Sequence, residues 1–147
     1  MWGGIVGNRK LPLIRVNGRL YGQIYVDSIL EPSVIPFMTL DRHLILQHDN
    51  APPHRADIAS ACLNDNHIPV LEWPAVSPDM NCIENLWALL SRAVRQHQPK
   101  PKNHDELFDI LLNEWDRIPA DVVYSLTSSM RRRVDTLWRA NGGFTKY

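Results

Sequence analysis

The sequence predicts an α/β fold, with strands and helices layered early and helices alone toward the C-terminus. Three observations predict it. Short apolar runs between turn residues occupy the first fifty positions, helix and strand patterns then alternate, and three- and four-residue apolar steps dominate from Met80 onward.

Taken in order, Ile5-Val6 and Leu11–Val16 bracket Gly7-Asn8-Arg9-Lys10, which reads as a hairpin with a four- to five-residue loop. Asn17-Gly18 marks a turn. A helix is expected from about Tyr21, with Ile24, Tyr25, Ile29 and Leu30 on one face. Pro32 and Pro36 should end or bend it, because each removes a backbone donor and crowds the preceding turn. His43 to His48 reads as a buried strand. Pro53 suits a first helical turn, so a helix is expected from there through about Leu63. Ile68 to Glu72 gives a short strand.

The clearest helix follows Ser77-Pro78-Asp79, where Ser77 is the candidate cap and Pro78 the first helical residue. Met80, Ile83, Leu86, Trp87, Leu90, Ala93 and Val94 form its apolar stripe. Gln98-Pro99-Lys100-Pro101-Lys102 is a stiff basic connector. Leu107, Ile110, Leu111, Trp115 and Ile118 then define one amphipathic helix. Val123, Leu126, Met130, Val134, Leu137 and Trp138 define another, stopped by Gly142-Gly143. Trp73, Trp87, Trp115 and Trp138 are expected in the core. No internal repeat or low-complexity tract interrupts the pattern.

A length of 147 residues suits one domain, and 44% hydrophobic with 22% charged residues is a globular composition. No apolar run approaches bilayer length, and no signal-peptide pattern opens the chain, so no membrane partner is expected. Cys62 and Cys82 lack ligand-like spacing, which argues against a zinc or disulfide framework and for a reducing cytosolic or nuclear compartment. Formal charge sums to zero but is uneven. Residues 1–90 hold six basic and nine acidic groups, residues 91–147 ten basic and seven acidic, so net charge moves from −3 to +3. Acids where metals would bind and bases beyond them suit an enzyme acting on a phosphate backbone.

Two carboxylates carry the chemistry. Asp49 closes the apolar run Leu44–His48 and opens the turn Asn50-Ala51-Pro52-Pro53, and Glu84 lies one turn into the helix after Asp79. Thirty-four residues separate them. Each alone is ordinary: aspartate is common in turns, and glutamate is favoured in a first helical turn. An acid leaving a strand and another arriving on a later helix can converge at one sheet edge. Paired carboxylates there suit hard divalent cations, which take oxygen ligands and activate water or clamp phosphate oxygens. At 100° per residue, Glu84 falls beside the apolar stripe, at the rim of the core.

The stretches around these acids resemble the catalytic domain of Tc/mariner DNA transposases, in the Tc-like branch. His48-Asp49-Asn50-Ala51-Pro52-Pro53-His54-Arg55-Ala56 is similar to the block around that family's second catalytic acid. Trp73-Pro74-Ala75-Val76-Ser77-Pro78-Asp79-Met80-Asn81-Cys82-Ile83-Glu84-Asn85-Leu86-Trp87 is similar to the block around its third. The spacing matches as well, as do Met1-Trp2-Gly3-Gly4-Ile5 and the closing Asn141–Tyr147, so the resemblance covers nearly the whole chain. Cys82 stands where the family usually has proline.

The resemblance implies an RNase H-like mixed sheet flanked by helices and one partial catalytic domain over residues 1–147, with C-terminal helices from about 104. It implies cut-and-paste transposition of DNA with two Mg²⁺ ions (Mn²⁺ as the substitute), for which Asp49 and Glu84 are the catalytic metal ligands. His48, Asn50, His54 and Asn81 are candidates to support them, Asn85 also lies near Glu84, and Arg131, Arg132 and Arg133 are candidates to contact DNA phosphates. The expected partners are transposon-end and target DNA and another transposase chain, acting in the nucleus of a eukaryotic cell or otherwise as an intracellular soluble protein.

One departure sets a further expectation. The family's first acid lies on a strand before the Trp-Gly-Gly segment, and this chain opens at Met1-Trp2. The expectation is an N-terminally truncated domain lacking its first, central strand and the helix-turn-helix region, with strand cleavage absent or very weak in this polypeptide alone. Buried unpaired backbone groups cost roughly 1–3 kcal/mol each, against a domain stability of about 5–15 kcal/mol. A rearranged four-stranded sheet, a gap filled by another chain or marginal stability should follow. The alternatives are a non-catalytic module that binds DNA or transposase chains, and a truncated gene model or fragment.

Overall fold

The computed structural model describes residues 1–73, 77–141 and 143, and the expectations for Pro74-Ala75-Val76, Gly142 and the closing 144–147 fall outside them. The elements gather into two units, residues 1–2 with 14–77 and residues 3–13 with 78–147.

The first unit is built on a long helical run. Helix α1 (Gly22–Tyr25) passes into a π-helical segment (Val26–Val34) and then into α2 (Ile35–Thr39). The prolines expected to end or bend it do not end it, and the helix leaves the α register around Pro32. Pro32 sits inside the widened π segment and Pro36 at the start of α2. Tyr25, Val26, Ile29, Leu30 and Val34 are buried from this run, and Ile24 is only half-buried. They pack with Ala59 and Leu63 of α3 (Asp57–Asp65) and with Ile68. Each buried aliphatic side chain contributes about 1.5–3 kcal/mol. The helix expected from Pro53 begins four residues later, because residues 52–55 are turns. Gly22 lets α1 lie close on α3: a Cβ there would stand 2.5 Å from the Ala56 Cβ.

The strands of this unit are shorter than the pattern predicts. Leu46 makes one parallel bridge with Val70, through Leu46 N–H to Pro69 O (2.8 Å) and Leu71 N–H to Leu46 O (2.8 Å). Trp2 and Ile14 make one antiparallel bridge. Among the described residues no ladder of four strands forms. Residues 42–43 lie in a turn closed by Leu44 N–H to Asp41 O (3.2 Å), and none of residues 43–48 is fully buried. Leu44 and Leu46 face the core, while Ile45 is 59% exposed.

In the second unit, β1 (Ile5–Val6) pairs with β2 (Arg9–Lys10) through a two-residue loop, tighter than expected. Gly7 has φ +55° and Asn8 is not left-handed, which meets the type II′ requirement for glycine at the first loop position. Helix α4 (Ile83–Gln96) follows a 3₁₀ turn (Pro78–Met80), so Cys82 rather than Ser77 occupies its N-cap position. Leu86 and Leu90 are buried from its stripe, against Leu13 and against Leu111 and Trp115 of α5 (His104–Arg117). The Trp87 and Trp115 rings stack at 5.6 Å. Gly3 passes beside them, where a Cβ would lie 3.0 Å from Trp87. Lys10 Nζ donates to the carbonyls of Trp115 and of Ile118 (2.8 Å), a cation on the C-terminal end of α5.

The last predicted helix is two. Helix α6 (Ala120–Thr127) and α7 (Met130–Arg139) are separated at Ser128-Ser129, whose hydroxyls donate to Tyr124 O and Leu126 O. Such back-bonding competes with a continuous ladder. The break turns α7, so Arg133 is 2% exposed, while Val134 and Trp138 are 51% and 83% exposed. Trp138 is therefore a surface residue, Trp115 a core one, and Trp73 and Trp87 are half-buried. Both cysteines are free thiols. No helix among the described residues is long and apolar enough to cross a membrane.

Candidate metal centre

Asp49 stands where the extended segment ends, and its side chain shapes the turn that follows. Oδ1 accepts the Ala51 N–H at 3.0 Å, an Asx-type closure two residues on. His54 N–H then donates to Ala51 O at 2.9 Å, so a second turn brings residue 54 back over residue 49. The His54 Nδ1 lies 2.7 Å from Asp49 Oδ1. Asn50 Nδ2 donates to Trp73 O (2.8 Å) and ties the turn to the segment leaving Val70.

His48 and His54 come together as stacked rings, 4.8 Å apart and 9° from parallel. Tyr25, from the end of α1, completes the group. Its hydroxyl is 3.1 Å from His48 Nδ1, and its ring centroid is 4.5 Å from that of His54. Burial and the neighbouring His54 push the His48 pKa down to about 4, against the opposing pull of Asp49. Burial, then Asp49, raise that of Tyr25. The sequence pattern marks Tyr25 only as one residue on a helix face. The signal available was its phenol: a fully buried tyrosine needs a hydrogen-bond partner.

The Asp49 carboxylate fits a hard cation. It is 54% exposed, both of its hydrogen bonds use Oδ1, and Oδ2 has no protein partner among the described residues. Exposed carboxylate oxygen is the donor that Mg²⁺ and Mn²⁺ prefer. Among the described residues no group of three or more His, Cys, Asp or Glu side chains is placed to hold a metal ion.

Glu84 occupies the first turn of α4, exposed beside half-buried Ile83 and buried Leu86. The entry is built from Asn81 N–H to Pro78 O (3.0 Å) and Glu84 N–H to Asn81 O (3.1 Å), with Met80 and Cys82 buried beneath. A carboxylate there lies at the positive end of the helix dipole. Asn85 does not face solvent freely: its Oδ1 accepts from Arg133 at 2.5 Å, and Arg133 Nε donates to Ser129 Oγ at 2.9 Å. Arg131 and Arg132 are exposed; Arg133 is enclosed and anchors α7 to the turn that carries Glu84.

A family model described as DDE superfamily endonuclease matches residues 2–107. This chain belongs to that family, among the Tc/mariner transposases. It is 35% identical over its whole length to the Tcb2 transposase of the transposable element in Caenorhabditis briggsae, and 33% identical to the Tc1 transposase of Caenorhabditis elegans. It covers 54% of each, so the chain spans about half the length of the curated relatives it matches. Its fold is that of the Mos1 mariner transposase catalytic domain, with a TM-score of 0.77 at 17% identity over 99% of this chain and 81% of that one. The match makes the fold RNase H-like, with strand pairing among the described residues confined to short pairs. The Mos1 catalytic domain has also been solved with Raltegravir and Mg, and with Raltegravir and Mn.

Proposed function

We propose that this chain acts in a Tc-like transposase catalytic domain, in which Asp49 and Glu84 supply oxygen ligands to divalent cations that cut and join DNA. One observation carries the reading: Asp49 is held through Oδ1 by Ala51 and His54, with its carboxylate open to solvent, inside the family-matched span. The same span runs through both units, which supports one catalytic domain. The Mg and Mn structures of Mos1 support the same cations here. DNA and a further transposase chain are the proposed partners, with action in the nucleus of a eukaryotic cell.

A bound divalent cation would neutralise phosphate charge and generate the attacking oxygen. The chain's own contribution is to hold acids still. Asp49 offers an acceptor-only carboxylate fixed on a rigid turn, and Glu84 offers another at a helix start. The exposed Arg131 and Arg132 supply phosphate contacts.

The test is Mn²⁺ binding followed by electron paramagnetic resonance. Asp49→Asn and Glu84→Gln should each weaken binding by about tenfold, and the double substitution should do little more than either, because both would act on shared ions. Unchanged binding in both single variants, or full additivity, would overturn the shared site.

A further inference from the structure

We infer that His54 is the positioning residue for Asp49, donating through Nδ1 to one carboxylate oxygen so that the other is presented outward. The inference rests on the metal-ligand reading of Asp49 and adds a dedicated support to it.

Nδ1 of His54 faces two acceptors, Asp49 Oδ1 at 2.7 Å and Asp49 O at 3.2 Å. An ionised carboxylate and a carbonyl can only accept, so the proton sits on Nδ1. With the Ala51 N–H at 3.0 Å, two donors converge on Oδ1. They oppose rotation of the carboxylate and leave Oδ2 as its outward atom.

His54 is itself held. Its side chain is 13% exposed, with the His48 ring stacked at 4.8 Å and the Tyr25 ring at 4.5 Å. Tyr25 is fully buried in the core of the first unit, and its hydroxyl lies 3.1 Å from His48 Nδ1. Three chain segments thus fix one imidazole: the end of α1, the extended run before Asp49 and the turn after it. A residue filling space would need the ring alone. Here the ring is clamped so that one nitrogen meets one carboxylate oxygen, the arrangement by which an outer residue orients a ligand.

Replacing ring and donor separately tests this. His54→Phe keeps an aromatic ring for the stack and removes the N–H. It should lower Mn²⁺ affinity about tenfold while leaving the unfolding midpoint in urea close to wild type. His54→Asn restores a donor without the ring, and should return affinity to within about threefold. In the metal-free wild-type chain, the ¹⁵N side-chain shifts of His54 should show Nδ1 protonated, and Asp49→Asn should move them. A purely structural His54 predicts the reverse: Phe tolerated with full Mn²⁺ affinity, and Asn destabilising without rescue. That result, or an Nε2-protonated tautomer in the wild type, would overturn the inference. If Asp49→Asn leaves Mn²⁺ affinity unchanged, the metal reading itself fails and takes this inference with it, an outcome distinct from failure of His54→Phe alone.

Discussion

His48 packs against His54 and Tyr25, and burial is the larger cause of its depressed pKa of about 4, against an ordinary 6.5. Between those values the imidazole is neutral in the folded chain and protonated in the unfolded one. The unfolded state then binds more protons, so stability falls as pH drops through that window. In metal-free buffer the urea midpoint should be lower at pH 4.5 than at pH 7, and His48→Gln should remove much of the difference. A midpoint independent of pH between 4 and 6.5 would show that the ring is not held neutral. Burial constrains the Arg133 cation as well. A guanidinium that is 2% exposed must be hydrogen-bonded, and Ser129 and Asn85 are among its partners.

Helix starts differ in how they are secured. Asn103 Oδ1 accepts the Glu106 N–H at 2.8 Å, and the Glu106 carboxylate reaches back to the Lys102 N–H at 2.7 Å. This reciprocal cap fixes the entry of α5 after the proline-rich connector. Asn103→Ala should cost about 1 kcal/mol, read as a lower urea midpoint with an unchanged slope. An unchanged midpoint would mean that the Glu106 arm suffices. Helix α4 has no side-chain cap bond, and its entry rests on the 3₁₀ turn and on buried Met80 and Cys82. Periodicity located α4 and α5 well because their stripes are long and each faces one cluster. It could not tell whether the prolines in the first helical run would end it or only change its register, since a π register absorbs what an α register cannot. It also missed the break before α7, since serine pairs weaken a helix without stopping an apolar pattern.

Across the whole molecule, zero net charge conceals a −3 to +3 division along the chain. On the proposed DNA-binding reading, affinity for random-sequence duplex should fall linearly with the logarithm of salt concentration. Replacing Arg131 and Arg132 with Gln should reduce that slope by about 2, close to 0.9 for each phosphate no longer neutralised. An unaltered slope would remove α7 from the interface. The two hydrophobic clusters, one around Tyr25, Ile29 and Leu30 and one around Leu86, Leu90 and Trp115, account for most of the large buried side chains.

What the residues determine by themselves is whatever acts over a few positions. The Asp49 turn closes within two residues and returns His54 within five, so that half of the candidate site was legible from the order Asp-Asn-Ala-Pro-Pro-His. The placement of Glu84 beside the apolar stripe of α4 follows equally from helical geometry. Tertiary structure decided the rest. Tyr25 joins His48 across 23 positions, and Arg133 joins Asn85 across 48, pairings that no local pattern encodes. Burial of Arg133 and exposure of Trp138 invert what polarity alone suggests, because the direction of α7 is set by the space its neighbours leave open. A short-range bond needs only the adjacent chain, whereas a long-range one exists only once packing has brought its partners together.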